Sequence, residues 1–544
     1  MSYIAKPPCD DAAILHGEAS LAPCTQAAKR WTLVAAVLGS SLAFIDGTVV
    51  NVALPAIQRQ LDASSAQVQW VMEAYALLLA ALLLVGGALG DTYGRKRVFM
   101  IGVALFTAAS MACAFAGTAD LLIFARAVQG AGAALMVPGS LSLLSSAFPP
   151  KERGAAIGTW SAFSGITAAV GPVIGGWLVE HYSWTWAFLV NLPAGVVLLI
   201  ICAVHVPESR GVVKVVPGAA AATHSRVDWL GAALATAGLA GVTYALIQAP
   251  AQGWGNTQVA GAGVIGIAAL GWFVLVEGKS AAPMLPLGLF REKNFAGANL
   301  LTLLLYAALG GGLFFLPLNL IQVQGMGATA AGAALLPFIA IMFALSRWAG
   351  TLVDRYGAKG PLVVGPVIAA AGFALFAVPG AGANYWTAFL PAVCVLGLGM
   401  SITVAPLTTT VMNAVGEERA GTASGVNNAV SRAAGLLAIA AFGIVLAWAF
   451  NASLASALAH AGLPRELVEA TLAQKEKLAG IAIPAGTGTE TARVLREAIG
   501  AAFVAGFRWV MWICAGLALL SAASAWVMIE GKKARGTKES HEAA

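Results

Sequence analysis

A few charged or strongly polar side chains interrupt otherwise apolar stretches, and these are the positions where this sequence can do chemistry. Asp46 stands in L-A-F-I-D-G-T-V-V-N-V-A-L-P, followed by Asn51 and Pro55. Glu73 lies near the start of the next apolar run. Arg126 and Gln129 fall in F-A-R-A-V-Q-G-A-G-A-A, with Gly130 and Gly132 directly behind them. An ionisable group in hydrocarbon is expensive and usually faces a cavity or a partner. Asp46 and Glu73 belong to consecutive runs of opposite direction, which sets them at similar depth, within about one helical turn. Two carboxylates sharing a cavity there would suit the uptake and release of protons during a transport cycle. Water-exposed interfacial acids are the competing reading, stronger for Glu73 than for Asp46. For Arg126 the competing reading is a structural ion pair.

Two further patterns combine glycine with charge or with proline. G-A-L-G-D-T-Y-G-R-K contains Gly87, Asp91, Gly94, Arg95 and Lys96, and A-G-T-L-V-D-R-Y-G-A-K repeats its spacing with Asp354, Arg355 and Gly357. A short loop of this kind allows tight turns and close helix approach, and its Asp can pair with a cation on a neighbouring bundle to latch one face shut. Topology-setting charge is the alternative, but the second copy favours a shared structural role. The other pattern, S-G-I-T-A-A-V-G-P-V-I-G-G-W, sets Gly171, Pro172, Gly175 and Gly176 along one run. Proline there bends the helix while glycine lets a neighbour approach and repack. Plain packing glycine is the alternative.

The elements that must carry these residues follow from composition. Of 544 residues, 59% are apolar and only 10% charged, with a mean hydropathy of +0.82; soluble domains are about a quarter charged. The solvent for most of this chain is therefore lipid. Lys and Arg total 31 against 25 acids, a net charge of +6. These basic residues punctuate apolar runs and do not cluster with aromatics, which argues against nucleic acid as a partner. The six cysteines show neither the spacing of a disulfide framework nor that of a metal site, and the first thirty residues lack the apolar core of a cleavable signal.

Runs of about twenty apolar residues open near Trp31, Val68, Val98, Leu121, Ala155 and Trp186, then near Leu230 and Val259, and again near Gly297, Ala330, Leu362, Trp386, Gly421 and Ala501. The fold class expected is an all-α polytopic membrane protein of about fourteen spans. Alternate loops carry Lys and Arg, which predicts cytoplasmic termini. The expected organisation is a cytoplasmic tail at 1–30, a six-helix bundle at 31–205, a cytoplasmic linker at 206–228, two inserted helices at 229–277 and a cytoplasmic loop at 278–295. A second six-helix bundle follows at 296–529, with a long periplasmic loop at 451–500, and a cytoplasmic tail closes the chain at 530–544.

With these motifs in place, the sequence resembles the major facilitator superfamily, in particular its fourteen-span drug:proton antiporter branch. Gly87 to Lys96 resembles the superfamily's second-to-third loop signature, Arg126 to Gly132 its fourth-span signature, and Gly171, Pro172, Gly175 and Gly176 the fifth-span signature of antiporters. Asp46 to Pro55 is similar to the first-span motif of the branch. Thr92, Thr185 and Ala358 depart from the usual residues. The resemblance implies two six-helix bundles that rock about a central site, a functional monomer in a bacterial-type inner membrane, and proton-coupled export of small amphipathic or cationic compounds. Asp46, Glu73, Asn51, Arg126 and Gln129 would line the coupling site and substrate cavity. No cofactor is expected, and no ATP, since G-x-x-x-x-G-K-[ST] is absent.

A same-fold facilitator or symporter importing a metabolite is the alternative function; a receptor or scaffold is more remote, since it leaves Asp46, Arg126 and the duplicated loop without a purpose. A membrane enzyme would need convergent catalytic side chains, and His16, His181, His205, His224, His460 and His541 are scattered. The alternating charge makes a direct prediction. Cysteine introduced at Gly117 is expected to react with an impermeant maleimide in intact cells, and Lys151→Cys only after lysis; labelling of Lys151→Cys in intact cells would overturn the orientation.

Overall fold

A computed structural model describes residues 24–210, 228–280, 283–415, 420–484 and 486–531. Most of the 206–228 linker and of both tails therefore lies outside the described residues, as does Arg419. Among the described residues, fourteen helices are long and apolar enough to cross a membrane. The first six are α1 (Gln26–Gln60), α2 (Ser65–Tyr93), α3 (Arg95–Ala114), α4 (Ala119–Ala147), α5 (Pro150–His181) and α6 (Asn191–His205), the last preceded by a single turn at Trp186–Leu189. Then come α7 (Trp229–Gln252) and α8 (Thr257–Lys279). The second set is α9 (Lys293–Leu318), α10 (Leu336–Tyr356), α11 (Lys359–Phe376), α12 (Leu390–Asn413), α13 (Ala420–His460) and α14 (Thr489–Met528). A lead-in helix, Ala328–Ala333, precedes α10.

Local sequence sets the helix starts. Ser64 and Gln67 form a reciprocal capping box at α2, Thr118 caps α4, Asp228 caps α7 and Asn256 caps α8; each supplies an oxygen to a backbone N–H that the first turn leaves open. Pro150 opens α5, where its missing N–H removes nothing. Gly94 and Gly357 end α2 and α10 with φ of +111° and +76°, a backbone conformation that glycine adopts readily. Both copies of the duplicated loop thus end their helix on a glycine of positive φ.

Helices α1–α6 pack as one bundle and α9–α14 as another. Between them α7 lies against α2 and α13, while α8 packs mainly on α7. On α8, Val264, Ile265 and Ile267 are each more than 60% exposed; a helix apolar on its outward face as well as its inward one fits a lipid solvent. Both described chain ends lie on one face of this assembly, here the tail face. The opposite, loop face carries the segment between α13 and α14, with a short helix at Arg465–Ala473 and a 3₁₀ turn at Lys475–Gly480.

The two bundles are joined tightly at the loop face. Glu180 accepts hydrogen bonds from the Thr329 backbone N–H (3.0 Å) and hydroxyl (2.6 Å). Gln322 Nε2 donates to Gln58 Oε1 (2.8 Å), and Gln58 Nε2 donates to the Lys477 carbonyl (3.1 Å). Lys477 Nζ reaches Asp62, and the neighbouring Leu478 is buried, at a left-handed φ of 53°. The strap between α13 and α14 therefore belongs to one bundle by sequence and clasps the other.

Candidate functional site: a buried ion pair beside an apolar cavity

Glycine brings α4 close enough to its neighbours to bury an arginine. A Cβ at Gly130 would overlap the Tyr75 carbonyl on α2, and one at Gly132 would meet the Phe106 nitrogen on α3 at 2.6 Å. With the backbones in contact, Arg126 donates from Nε to the Val71 carbonyl (3.0 Å) and from a terminal nitrogen to Asp46 Oδ2 (2.5 Å) and Gln129 Oε1 (2.6 Å). The side chains of Asp46 and Arg126 are both 0% exposed. The guanidinium also lies over the Tyr75 ring, 4.3 Å from its centroid, a favourable placement for a cation.

Asp46 is held by more than its counter-ion. Gln129 Nε2 donates to Oδ1 (2.7 Å) and Asn191 Nδ2 donates to the same oxygen (3.0 Å). Both amides also donate to Ser110 Oγ, at 3.1 and 2.9 Å, and Ser110 in turn donates to the Phe188 carbonyl (3.1 Å). The network built on this carboxylate draws on α1, α2, α3, α4, α6 and the turn before α6, with α4 and α6 bonding the carboxylate itself. Removing either ion would leave its partner charged and buried, which is far more costly than the net strength of the pair. The structure thus provides the ion pair for Arg126 and unites Asp46 with Arg126 and Gln129. Ser110, Asn191 and Tyr75 join them, although the sequence reading did not place these three in the network. Ser110 is a lone hydroxyl in an apolar run and carries no motif signal. Asn191, a polar break just after Trp184-Thr185-Trp186, was open to notice.

Glu73 departs from the interfacial reading. It is 0% exposed, and both its carboxylate oxygens lack a hydrogen-bond partner. It stands one turn along α2 from Gln69, whose amide fills the space over Gly443 of α13. Its place is therefore the seam between the bundles.

A cavity of about 720 Å³ lies between the bundles, lined by α1, α5, α9, the lead-in helix, α10 and α12. Neither Asp46 nor Glu73 is among the residues lining it, so the shared cavity expected for the two acids is not what the structure builds. Thr48 and Asn51 line it instead, one turn along α1 from Asp46. Asn51 Nδ2 donates to the Gly47 carbonyl at 3.4 Å, and its Oδ1 is unpartnered. Thr48 and Val49 are also the floor on which α5 rests: a Cβ at Gly171 would overlap Thr48 Oγ1, and one at Gly175 would meet Val49 Cγ1 at 2.7 Å. Gly176 faces the Ala328 carbonyl and Pro172 faces Gly332, both in the lead-in helix. The four residues of the fifth-span motif thus join α5 to α1 on one side and to the second bundle on the other.

Around the duplicated loop, the contacts among the described residues stay within one bundle. Asp91 pairs with Arg95 in its own loop, at 2.9 Å. Glu208, beyond α6, accepts from the Lys96 and Arg97 backbone N–H groups (2.9 and 3.2 Å) and so caps α3. Its carboxylate fills the space beside Gly94, Arg95 N donates to the Ser209 carbonyl (2.8 Å), and Lys96 Nζ donates to the Ala203 carbonyl (3.3 Å). Gly87 has only Pro138 of α4 near its Cβ position. In the second copy the Arg355 guanidinium lies 5.3 Å from the Tyr356 ring centroid, and the Asp354 side chain lies outside the described residues.

Comparison with known proteins agrees with this architecture. The family model described as Major Facilitator Superfamily matches residues 36–439, and this chain belongs to that superfamily. The tetracenomycin C resistance and export protein of Streptomyces glaucescens is 33% identical over 91% of this chain and 91% of its own. The multidrug resistance protein Stp of Mycobacterium tuberculosis is 33% identical over 88% and 91%, and the puromycin resistance protein of Streptomyces alboniger is 33% identical over 93% and 92%. Among solved structures, an inward-facing, unoccupied bacterial homologue of the human lysosomal transporter Spinster superposes with a TM-score of 0.65 at 17% identity, covering 93% of this chain and 97% of that one. That likeness shows the fold alone.

The buried pair makes a prediction about stability. Arg126→Gln, which strands Asp46, is expected to cost about 3–5 kcal/mol in denaturant unfolding in mixed micelles. The double variant with Asp46→Asn should be less damaging than the sum of the singles by about 1–3 kcal/mol. Additive losses would mean that the pair is not energetically coupled.

Proposed function

We propose that this protein is a proton-coupled antiporter that exports small amphipathic compounds by alternating access, with Asp46 as the proton-responsive group. The observation that carries the reading is that one short stretch of α1, from Asp46 to Asn51, performs three jobs. Asp46 anchors the ion-pair network, Thr48 and Asn51 face the cavity, and Thr48 with Val49 supports the α5 glycines that join the second bundle. A proton on Asp46 would cancel the charge that holds Arg126, loosen α1 and change the surface on which α5 lies. Substrate in the cavity would touch the same stretch from the other side. Two ligands competing through one element is what antiport requires, since each must bias the same two-state equilibrium.

In this cycle the loop face is the periplasmic one and the termini are cytoplasmic, in an inner membrane. Closure of the loop face by Glu180, Gln58 and the strap then corresponds to a state that accepts substrate from the cell side. The names of the similar proteins, which speak of resistance and export, support the outward direction. The driving force is the proton gradient, with no nucleotide, and the monomer contains the whole pathway. Glu73, buried without a partner in the seam between bundles, is the candidate for a second proton site.

The test is export by the purified protein in proteoliposomes under an imposed pH gradient, using a panel of cationic dyes, neutral antibiotics and organic anions. Asp46→Asn is expected to abolish gradient-driven export at matched protein amounts while substrate exchange persists, because a permanently neutral side chain cannot alternate between charge states. Glu73→Gln should slow export without stopping it. Proton-coupled export at the wild-type rate in Asp46→Asn would remove Asp46 from the mechanism, and complete loss in Glu73→Gln alone would move the role to α2.

A further inference from the structure

The cavity's chemistry and its position on α5 narrow the substrate class, resting on the exporter reading above. The stretches that line it are 48–52, 165–172, 313–317, 331–343 and 401–405, and none of them contains an Asp, Glu, Lys or Arg. Among the described residues, its polar lining is limited to Thr48, Asn51 and Ser401. The nearest acid along α1 is Asp46, and it is already committed to Arg126, Gln129 and Asn191. A cation entering such a space would lose its hydration without gaining a counter-charge, which is expensive in an apolar surrounding. A neutral molecule loses little and gains apolar contact, with the Asn51 amide and two hydroxyls to orient it.

The route in can be read from helix faces. Pro172 lines the cavity and faces Gly332 of the second bundle, so this side of α5 points inward. Ile166 and Val170 also line the cavity, yet they stand on a different face of the helix. They share a stripe, at spacings of three and four, with Phe163, Ile174 and Trp177, which are exposed and are not part of the lining. Across from them on α10, Phe343 lines the cavity and is 64% exposed. The cavity therefore wraps round α5 to the helix's outward side. On α5 and α10 these wrapping residues lie on the tail side of the contacts that Pro172 and Gly176 make with the lead-in helix.

We infer that the cavity takes neutral, largely apolar small molecules, and that they enter sideways from the bilayer through the gap between α5 and α10, on the tail side of the loop-face seal. A compound dissolved in the membrane is then captured without passing through bulk water, and a lining whose described residues carry no charge rejects its cationic analogue.

Two probes of similar shape test the substrate class: triphenylphosphine oxide, which is neutral, and tetraphenylphosphonium, a permanent cation. Full-length protein in proteoliposomes under a pH gradient is expected to move the neutral probe at least tenfold faster than the cation. Faster movement of the cation would overturn the inference while leaving the exporter reading intact. Movement of neither probe, or of any compound in the broader panel, would overturn both. The route is tested with a nitroxide at Ile166→Cys, and another at Trp177→Cys as a lipid-facing control. Both labels should be relaxed by oxygen dissolved in the bilayer, and saturating triphenylphosphine oxide should shield position 166 but not 177. Relaxation of the 166 label by a water-soluble nickel chelate and not by oxygen would mean that the cavity opens to water instead, and would overturn sideways entry.

Discussion

Everything in the first bundle is arranged round one constraint: a carboxylate and a guanidinium share a site from which water is excluded. Asp46 and Arg126 can remain there only if nearly every polar atom between them is satisfied. That requirement accounts for the glycines that press α4 against α2 and α3, for Gln129 one turn beyond the arginine, and for Asn191 and Ser110, which complete the shell from α6 and α3. One terminal nitrogen of Arg126 is still without a partner. The network is satisfied at the carboxylate and incomplete at the cation, so rearranging it need not begin from a perfect lock.

The second bundle has no equivalent charge pair among its described residues. At its tail-side half, Asn427 donates to Asn299 Oδ1 (3.2 Å) and to Thr302 Oγ1 (2.7 Å), a neutral knot that joins α13 to α9. The repeat is thus preserved in helix order and in the glycine turns at 94 and 357, while the buried ion pair, among the described residues, belongs to one copy. This asymmetry suits a rocking machine. In the proposed cycle, one bundle would carry the group that senses a proton, and the other would offer a surface for it to close against.

Much of this was legible in the sequence, and what was missed follows a physical pattern. Span count, the inserted pair and the repeated loop follow from hydropathy, charge and spacing, all of which act locally along the chain. Asp46, Arg126 and Gln129 announced themselves because a charge or an amide in an apolar run demands a partner. Ser110 did not, because a serine hydroxyl in a helix can bond to its own backbone and gives no sign of a longer reach; Tyr75 did not, because it meets the guanidinium with its ring face, and an aromatic ring is ordinary in an apolar run. Glu73 was expected to share a cavity with Asp46, with a hydrated interfacial acid as the alternative; its full burial depends on packing between elements far apart in sequence, which spacing along the chain does not reveal. Asp91 was expected to reach the other bundle; among the described residues it pairs with Arg95 across the Gly94 turn. Glu208, which caps α3, could not have been found by periodicity, since its role arises only once α6 returns to the start of α3.

The central claim is that Asp46 responds to protons and that α1 transmits the response. It is tested most directly without any substrate, by recording charge movement on a solid-supported membrane after a rapid drop in pH on the loop-face side. The wild-type protein is predicted to give a transient current as protons reach Asp46 and the network rearranges, and Asp46→Asn, reconstituted at the same density, to give almost none. An undiminished transient in Asp46→Asn would contradict the account.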